Sequence, residues 1–329
     1  MLIDSAKLKT QAAQLGFSAC GLAPAEAVSP DRAEELRQWL NEGCQGDMHY
    51  LEQNVEKKLD PRLLVEGART VVSLAVNYFS PDEMEQNDRE KLRNADENSE
   101  NAASWTLARY ARGTDYHDVV RQMLRQLMLS MGWEEHRDGR VFVDTAPVDE
   151  KYWAQRCGLG WRGRNSQLIL PGAGSYFFLG ELILIHEADH YDAPATNHCG
   201  NCHACLDACP MHALRGDGTL DARRCLSYLT IEHRGEIPPE AQEQMSPCFY
   251  GCDRCADVCP WNQRFAQPTS IDALKPRPAI MQMRPTDWQS LTPDTYRELF
   301  RKSAVKRAKY DGLLRNIKAL KPPPNNPLE

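Results

Sequence analysis

The residues best suited to chemistry in this sequence are cysteines, and most of them lie close together. Nine of the 12 cysteines fall between Cys199 and Cys259, and the other three are scattered at positions 20, 44 and 157. Secreted domains use such a density for disulfides, but residues 1–10 lack the charged and apolar regions of a signal peptide, which predicts a cytoplasmic protein. Clustered thiols in the cytoplasm point first to metal binding.

The spacing of these cysteines predicts two [4Fe–4S] clusters. One run reads C-x₂-C-x₂-C-x₃-C-P from Cys199 to Pro210, and a second reads C-x₂-C-x₃-C-P from Cys252 to Pro260. This is the spacing of bacterial two-cluster ferredoxins, in which the last cysteine of each run ligates the other cluster. The alternative is a pair of four-cysteine zinc sites, which usually repeat C-x₂-C pairs about a dozen or more residues apart.

If each run gives its last cysteine to the other cluster, one cluster has four cysteine ligands and the other has three. The first cluster takes Cys199, Cys202, Cys205 and Cys259. The second takes Cys209, Cys252 and Cys255 and needs one more thiolate, for which Cys225 and Cys248 compete. Cys248 precedes Cys252 by four residues rather than the three that the first run's step requires, so we favour Cys225.

Hydrophobic periodicity predicts the elements that must position this module. Residues 1–190 are predicted to form one α/β (α+β) domain on a mixed sheet, with helices near 4–15, 31–41, 115–131 and 148–156 and strands near 17–23, 70–78, 141–144, 167–170 and 176–185. An acidic run at 82–101 is predicted to be an exposed insertion. The cysteine module spans 191–264, and a helical segment follows at 265–329. No G-x-G-x-x-G or P-loop motif supports a nucleotide-binding domain, and no run of ~18 apolar residues predicts a membrane span.

Charge is distributed unevenly along the chain. The formal net charge is −7, yet residues 264–329 carry 13 Lys and Arg against 6 Asp and Glu. A helix predicted over residues 292–320 contains the most basic stretch, in which Lys306, Arg307 and Lys309 can follow a phosphate backbone and Tyr310 can stack on a base. Charge alone favours an ordinary solvated basic helix, and RNA binding is predicted only when the charge is combined with the family resemblance of the stretches quoted next.

Several stretches outside the cysteine runs carry a family resemblance. They are VDTAPV at 143–148, CGLGWRGRN at 157–165 and GLLRNI at 312–317. With them, the chain resembles the epoxyqueuosine reductase family over about residues 1–320. The resemblance implies a cobalamin-binding α/β domain, a ferredoxin-like two-cluster module and a helical, HEAT-like C-terminal part, of which this sequence holds a truncated portion.

The resemblance also implies an activity and its partners. The reaction would be reduction of epoxyqueuosine to queuosine at the wobble position of a tRNA with a GUN anticodon, by cob(I)alamin that receives electrons through the two clusters. A reduced flavodoxin or ferredoxin-type protein would be the donor, and the enzyme would act as a monomer without a membrane. One alternative is another corrinoid reductase such as a reductive dehalogenase, which typically carries a twin-arginine signal that is missing here. The other is a pure electron carrier, which would not need a separate α/β domain.

The same resemblance implies that Asp144 is the proton donor to the opening epoxide oxygen. General acid catalysis of this kind needs a carboxyl whose pKa is raised by burial. From the residues alone, Asp144 could equally be the N-cap of the helix near 148–156.

Cobalamin contacts are predicted at Asp144 and at Arg62, Arg164, Asn165 and Ser166. For Arg62 the alternative is a surface ion pair. The stretch Asp115-Tyr116-His117 contains D-x-H, but Val120 replaces the glycine of the cobalt-ligand motif. We therefore expect His117 to be a structural or pocket residue.

Overall fold

The computed structural model describes residues 2–81 and 105–320, so the acidic run predicted as an insertion lies outside the described residues. The chain packs as two compact units. The first comprises Met1–Asn77, Asp115–Cys225 and Arg254–Ala266, and the second comprises Tyr78–Thr114, Leu226–Asp253 and Gln267–Glu329. The three predicted domains do not coincide with these units, because the cysteine module is divided between the two.

The first unit is built on a four-stranded sheet in the order β2-β3-β8-β5, numbered along the chain. These strands are β2 (Ala19–Pro24), β3 (Thr70–Asn77), β5 (Gly139–Phe142) and β8 (Phe177–Leu184). All three pairings are antiparallel, so the predicted α/β class is confirmed but the predicted mixed sheet is wrong here. The two central strands are buried almost throughout, as their continuous apolar runs indicate.

Short strands and helices complete the first unit. Parallel β1 (Leu2–Ile3) and β9 (Glu187–Ala188) form one small sheet, and antiparallel β6 (Trp161–Arg162) and β7 (Leu168–Ile169) form another. The helices are α1 (Ser5–Gln14), α2 (Pro30–Asn41), α3 (Val55–Leu59), α4 (Tyr116–Ser130), α5 (Glu150–Arg156), α6 (Ala204–Asp207), α9 (Arg254–Asp257) and α10 (Pro260–Phe265). Three-residue 3₁₀ turns lie at His49–Leu51, Pro61–Leu63 and Ala222–Arg224.

Helices α4 and α5 cover opposite faces of the sheet. Val120 and Leu124 of α4 approach Gly180 of β8 so closely that a Cβ there would lie 2.9 Å from each side chain. On the other face, Trp153 and Ala154 of α5 belong to the core cluster that includes alternate residues of β3 and β8. Side chains of one strand alternate between faces, so each helix covers a different set of sheet residues.

Two ion pairs connect α2 with the start of α5 and with β6. Asp149 precedes this helix and accepts from Arg32 Nε of α2 at 2.6 Å. Arg162 of β6 pairs with both carboxylate oxygens of Glu35 at 2.6 Å. A bidentate arginine–carboxylate pair restricts the relative orientation of the two side chains. The two pairs therefore restrain the positions of α5 and β6 relative to α2, next to the loop that follows β5.

Part of the cysteine module is joined to the sheet by a buried asparagine. Asn262 of α10 donates to Ser175 Oγ at 2.9 Å and accepts from the Ser175 backbone N–H at 2.6 Å. Gly174 has φ +87°, and a Cβ there would lie 2.2 Å from Asn262 Oδ1. This contact ties residues 254–266 to the start of β8 within the first unit.

The second unit is mainly helical. Strand β4 (Thr106–Leu107) pairs in parallel with β10 (Cys248–Tyr250). The helices are α7 (Leu226–Ile231), α8 (Pro239–Met245), α11 (Pro278–Met281), α12 (Pro285–Gln289), α13 (Pro293–Leu299) and α14 (Lys309–Ala319), with 3₁₀ turns at Arg109–Ala111, Asp272–Leu274 and Ala304–Ala308. Its core is aromatic and includes Phe249, Tyr250, Trp288 and Phe300. Over residues 2–81 and 105–320, no helix combines the length and apolar character needed to cross a membrane.

Candidate active site and cluster sites

Asp144 lies two residues after the end of β5, where the loop to α5 begins. Its backbone has φ +53°, in the left-handed region that residues other than glycine rarely adopt. Its side chain is 55% exposed, so the carboxylate is open to a ligand. Backbone strain that presents an accessible carboxylate is common at functional positions.

Two side chains from the start of α4 hold the Asp144 carboxylate. Tyr116 Oη donates to Asp144 Oδ2 at 2.6 Å, and His117 Nε2 lies 3.1 Å from the same oxygen. His117 Nδ1 lies 2.6 Å from Oδ1 of Asp115, the N-cap residue of α4. The Tyr116 ring stacks on Phe178 with 4.1 Å between centroids. These contacts form an Asp115–His117–Asp144 chain in which both imidazole nitrogens have carboxylate partners.

The protons of this chain reside on His117 and Tyr116 rather than on Asp144. Burial raises the pKa of Asp144, but hydrogen bonds from His117 and Tyr116 outweigh it and bring the pKa below its usual value. Burial lowers the pKa of His117, but hydrogen bonds to Asp115 and Asp144 raise it to about 9. The predicted rise in the pKa of Asp144 is therefore wrong for the free protein, because a charged imidazole lies against the carboxylate.

Asp144 is not the N-cap of the following helix. Helix α5 begins at Glu150, and its N-cap position is Asp149. The Asp144 backbone N–H instead donates to Glu150 Oε1 at 2.5 Å. The helix-cap alternative is wrong, because Asp144 lies too far before α5 and receives support from that helix rather than giving it.

His117, which the sequence predicts only as a structural or pocket residue, lies in this site as a partner of Asp144. The D-x-H stretch showed only a departure from a cobalt-ligand motif. The available signal was Asp115, a good helix-capping residue directly before an amphipathic helix. An N-cap at that position places Tyr116 and His117 in the first turn of α4, where both reach Asp144.

We expect the His117 site to stabilise the fold at neutral pH and to lose that contribution in alkali. Its pKa rises from about 6.5 in an unfolded chain to about 9 in the folded protein. The contribution is therefore complete below about pH 6.5 and disappears as pH rises through about 9. Melting temperatures of the apo wild type and His117→Gln, measured from about pH 6 to about pH 10, should converge as the pH rises. A constant difference over this range would contradict a proton on His117.

The four cysteines predicted for the first cluster line a single cavity of about 130 Å³ in the first unit. Burial and the neighbouring thiols of Cys199, Cys259 and Cys202 raise the pKa of Cys205, so these sulfurs lie near one another. Among the described residues, no three His, Cys, Asp or Glu side chains gather around one ion-sized point. Thiols arranged around a cavity fit a cluster of several irons better than a single zinc ion.

The surroundings of this cavity are partly aromatic and partly open. Trp161 Nε1 donates to Cys199 Sγ at 3.4 Å, and the Trp161 and Trp261 rings meet edge to face at 4.9 Å. Cys259 is buried, whereas Cys202 is exposed. Hydrogen bonds to sulfur and solvent exposure both influence the potential of a cluster, so Trp161 and the exposure of Cys202 would both affect a cluster held here.

The cysteines predicted for the second cluster are divided between the two units. Cys209, Cys225 and Cys255 belong to the first unit, and Cys252 belongs to the second. The competing residue, Cys248, lies in β10, where its thiol donates to the carbonyls of Tyr250 and Gly251 at 3.3 and 3.4 Å. A thiol that donates to carbonyls keeps its proton, whereas a cluster ligand is a thiolate, so these contacts favour Cys225 over Cys248 as the fourth ligand. The choice of Cys225 stays a prediction.

The residues predicted to bind cobalamin have other partners in the structure. Arg62 forms the ion pair that was its alternative, with two bonds to Asp60 at 2.7 and 2.9 Å. Arg164 and Asn165 line the cysteine cavity, where they donate to the carbonyls of Gly200 and Cys255 at 3.0 and 3.3 Å, respectively. The carbonyl of Ser166 accepts from Lys151 Nζ at 2.7 Å. Arg164 and Asn165 therefore belong to the surroundings of the first cluster.

The predicted basic helix over residues 292–320 is wrong. The structure has α13, a 3₁₀ turn and α14 in its place. Lys302, between α13 and the turn, and Lys309, where the turn meets α14, adopt φ of +52° and +61°, and a left-handed residue at each junction interrupts a continuous α-helix. Lys306 and Lys309 are exposed, but Arg307 pairs with Glu232 at 2.7 Å. Tyr310 donates to the Leu291 carbonyl at 2.9 Å and packs on Tyr296, so it is not presented for base stacking as predicted.

These features define an iron–sulfur oxidoreductase in which a two-cluster cysteine module accompanies an α/β domain. Residues 198–262 match the family "4Fe-4S double cluster binding domain", and residues 58–145 match "Epoxyqueuosine reductase QueG, DUF1730". The epoxyqueuosine reductase of Cellulophaga algicola is 41% identical over 315 residues, which cover 95% of this chain and 97% of that protein. The chain belongs to the epoxyqueuosine reductase family.

Solved structures agree with this assignment. One is an epoxyqueuosine reductase with an epoxyqueuosine-modified stem loop of tRNA-Tyr, which is 27% identical with a TM-score of 0.83. Another is the Bacillus subtilis enzyme with an aspartate-bearing catalytic loop swung out of the active site, which is 27% identical with a TM-score of 0.82. Each match covers 95% of this chain and 80% of the solved chain.

Proposed function

We propose that this chain reduces epoxyqueuosine in tRNA to queuosine, with Asp144 protonating the opening epoxide oxygen. Family membership supports the reaction, and a solved relative holds an epoxyqueuosine-modified tRNA stem loop. The observation that carries the proposal is Asp144, an exposed carboxylate on a strained loop between two proton-bearing side chains. The Bacillus subtilis relative has an aspartate on a catalytic loop, which supports the same role for the loop after β5.

In this proposal the proton moves along the Asp115–His117–Asp144 chain. The imidazolium holds it in the free protein, while Asp144 is ionised. Binding of cofactor and nucleoside covers the open side of the carboxylate, and loss of water raises the pKa of a carboxyl. The proton then passes from His117 Nε2 to Asp144 Oδ2, which are 3.1 Å apart, and from there to the substrate oxygen.

Cobalamin is the proposed cofactor beside the two [4Fe–4S] clusters. When bound, it supplies a strong cobalt nucleophile toward an epoxide carbon, and the clusters supply electrons. His117 fits a cobalamin without a histidine ligand, because both of its ring nitrogens are engaged by carboxylates. Asp144 and Ser166 stay as proposed contacts, whereas Arg62 would first have to leave Asp60.

The proposed partners are a tRNA with a GUN anticodon and a reduced flavodoxin or ferredoxin-type donor, and the proposed active form is a monomer. The exposed side of the first-cluster cavity supports entry of electrons from a protein donor, since Cys202 lies there. Cys259, by contrast, is buried.

Anaerobic reconstitution tests the proposed function. The protein is loaded with iron, sulfide and cobalamin, reduced chemically and incubated with epoxyqueuosine-containing tRNA. Matched reactions omit cobalamin or replace the tRNA with an organohalide. Queuosine formed only with cobalamin and only from the tRNA supports the proposal. Dehalogenation without queuosine contradicts it, and so does electron transfer by a protein that fails to retain cobalamin.

We expect Lys306 and Lys309 to contribute to tRNA affinity. Both are exposed, whereas Arg307 is held by Glu232. The logarithm of the binding constant should fall with the logarithm of salt concentration, because each phosphate contact releases counterions. The double variant Lys306→Ala/Lys309→Ala should reduce that slope by about 1–2, the number of lost contacts. Cluster content and cobalamin retention should not change.

The matched control is Lys275→Ala/Arg284→Ala, which removes two exposed cations of the same unit that pair with Asp272 and Asp287. It should leave the salt slope unchanged. Equal slopes for the wild type and the Lys306/Lys309 variant would place the RNA surface elsewhere.

A further inference from the structure

The backbone of the loop that carries Asp144 is bound outside the loop through a single side chain. Val143 and Val148, which bracket the loop, are both buried. Between them, the backbone hydrogen bonds described for residues 144–147 stay within the loop, with one exception. The exception is the Asp144 N–H, which donates to Glu150 Oε1 at 2.5 Å. Among the described contacts, Glu150 therefore provides the bond that fixes the backbone of Asp144.

Asp144 needs such support because its backbone is strained. Its φ of +53° lies in the left-handed region, and a residue other than glycine persists there only where surrounding contacts hold it. Tyr116 and His117 of α4 hold the carboxylate of Asp144. Glu150 of α5 holds the N–H of the same residue. The side chain and the backbone of Asp144 are thus fixed by two different helices.

Glu150 is well placed for this contact, because the residues on both sides of it are bound to other elements. Asp149 accepts from Arg32 Nε of α2 at 2.6 Å. Lys151 Nζ donates at 2.7 Å to the carbonyl of Ser166, which lies in the connection between β6 and β7. The start of α5 is therefore held at two points, and the Glu150 side chain extends from between them.

We propose that Glu150 is a positioning residue for the reaction, which keeps the Asp144 carboxylate against Tyr116 and His117 by fixing the Asp144 backbone. The inference rests on the proposed function, in which Asp144 is the acid. Glu150 acts through Asp144 and needs no contact with substrate or cofactor. Without the acceptor, rotation of the Asp144 backbone relieves its strained φ and moves the carboxylate away from His117. A catalytic group displaced by about 1 Å can lose about 10²-fold in rate.

Two substitutions isolate the hydrogen bond in the reconstituted enzyme. Glu150→Gln and Glu150→Met both remove the carboxyl group and keep the length of the side chain, but only glutamine has an oxygen that accepts the Asp144 N–H. In single turnovers of chemically reduced enzyme, Glu150→Met should slow queuosine formation by about 10- to 100-fold. The tRNA concentration that gives half the maximal rate should not change. Glu150→Gln should stay close to the wild-type rate.

The protonation of His117 reports the position of Asp144 in the apo protein, without activity. Burial lowers the pKa of His117, and hydrogen bonds to Asp115 and Asp144 raise it to about 9. We expect an NMR titration of the His117 ring, assigned with His117→Gln, to give the wild-type midpoint in Glu150→Gln and a lower midpoint in Glu150→Met. A carboxylate that has moved away no longer favours the imidazolium. Asp144→Asn provides the reference midpoint for complete loss of that carboxylate.

The matched control is Glu187→Met, which replaces an exposed glutamate of β9 in the same unit. It should match the wild type in both the rate and the His117 midpoint. If Glu150→Met fails to fold, Glu150→Ala removes the same acceptor and places a residue of high helix propensity at the start of α5.

The outcomes separate this inference from the proposed function. Equal rates and equal His117 midpoints in the wild type and Glu150→Met, with an inactive Asp144→Asn, would overturn the positioning role and leave Asp144 as the acid. An equal loss of rate in Glu150→Gln and Glu150→Met would also overturn it, because the carboxyl group rather than the hydrogen bond would then be required. If Asp144→Asn turns over normally, the proposed acid is wrong and Glu150 has no role in the reaction, even where the His117 midpoints show that it holds the loop.

Discussion

Replacement of Asp144 by Asn is expected to slow queuosine formation by roughly 10²–10⁴, the usual contribution of a positioned acid. Asn keeps the shape and can hydrogen-bond Tyr116, but it cannot take a proton from His117. Folding should be unaffected, because Asn is one of the few residues that tolerate the left-handed backbone at this position, φ +53°. Single turnovers, iron content and retained cobalamin should be measured on the same preparation.

The control for this substitution is Asp118→Asn. Asp118 is an exposed aspartate in the first turn of α4, paired only loosely with Arg121 at 3.6 Å. Its variant should turn over like the wild type. Asp144→Ala is the less informative change, since the left-handed backbone disfavours alanine by about 1–2 kcal/mol and mixes a folding effect with the chemical one. A folded, cofactor-replete Asn variant with near-normal turnover would remove Asp144 from the mechanism.

The second large effect concerns the fourth ligand of the second cluster. The reconstituted wild type should contain about eight irons and eight sulfides, four of each per cluster. Cys225→Ser should retain about four irons and lose turnover, because the electron path through two clusters is interrupted. Cys248→Ser should keep about eight irons, since its thiol is hydrogen-bonded to the carbonyls of Tyr250 and Gly251.

Cys205→Ser provides the matched reference for the loss of one cluster. Cys205 lines the first-cluster cavity together with three other predicted ligands, so its variant should also retain about four irons. Iron and sulfide analysis of the three serine variants side by side settles the assignment. Half the iron in Cys248→Ser and full iron in Cys225→Ser would reverse it.

The cofactor module and the elements of the α/β domain could be predicted from the amino-acid sequence. Cluster ligands follow one another at short fixed intervals, so the run from Cys199 to Pro210 predicts an iron–sulfur cluster before the fold is known. The central strands and α4 were likewise predictable, because burial on both faces requires a continuous apolar run and burial on one face of a helix requires a stripe. Asp144 was identified through the family stretch VDTAPV rather than through any local pattern.

The distribution of charge around Asp144 depends on contacts between residues that are far apart in the chain. Burial of Asp144 was expected to raise its pKa, but the partner that opposes this effect, His117, lies 27 residues away in the chain. Contacts between residues far apart in the chain have no fixed sequence separation, so no sequence pattern predicts them.

The basic segment and the sheet show the same division. Composition correctly showed a cationic stretch, but local backbone conformation at Lys302 and Lys309 broke the expected helix, and Glu232 of another segment engaged Arg307. Strand identity was readable from apolar runs, whereas the all-antiparallel order β2-β3-β8-β5 was not. Periodicity indicates which residues are buried, whereas strand pairing is decided by long-range packing, and the two central strands are buried on both faces and so show no alternation that would indicate their partners.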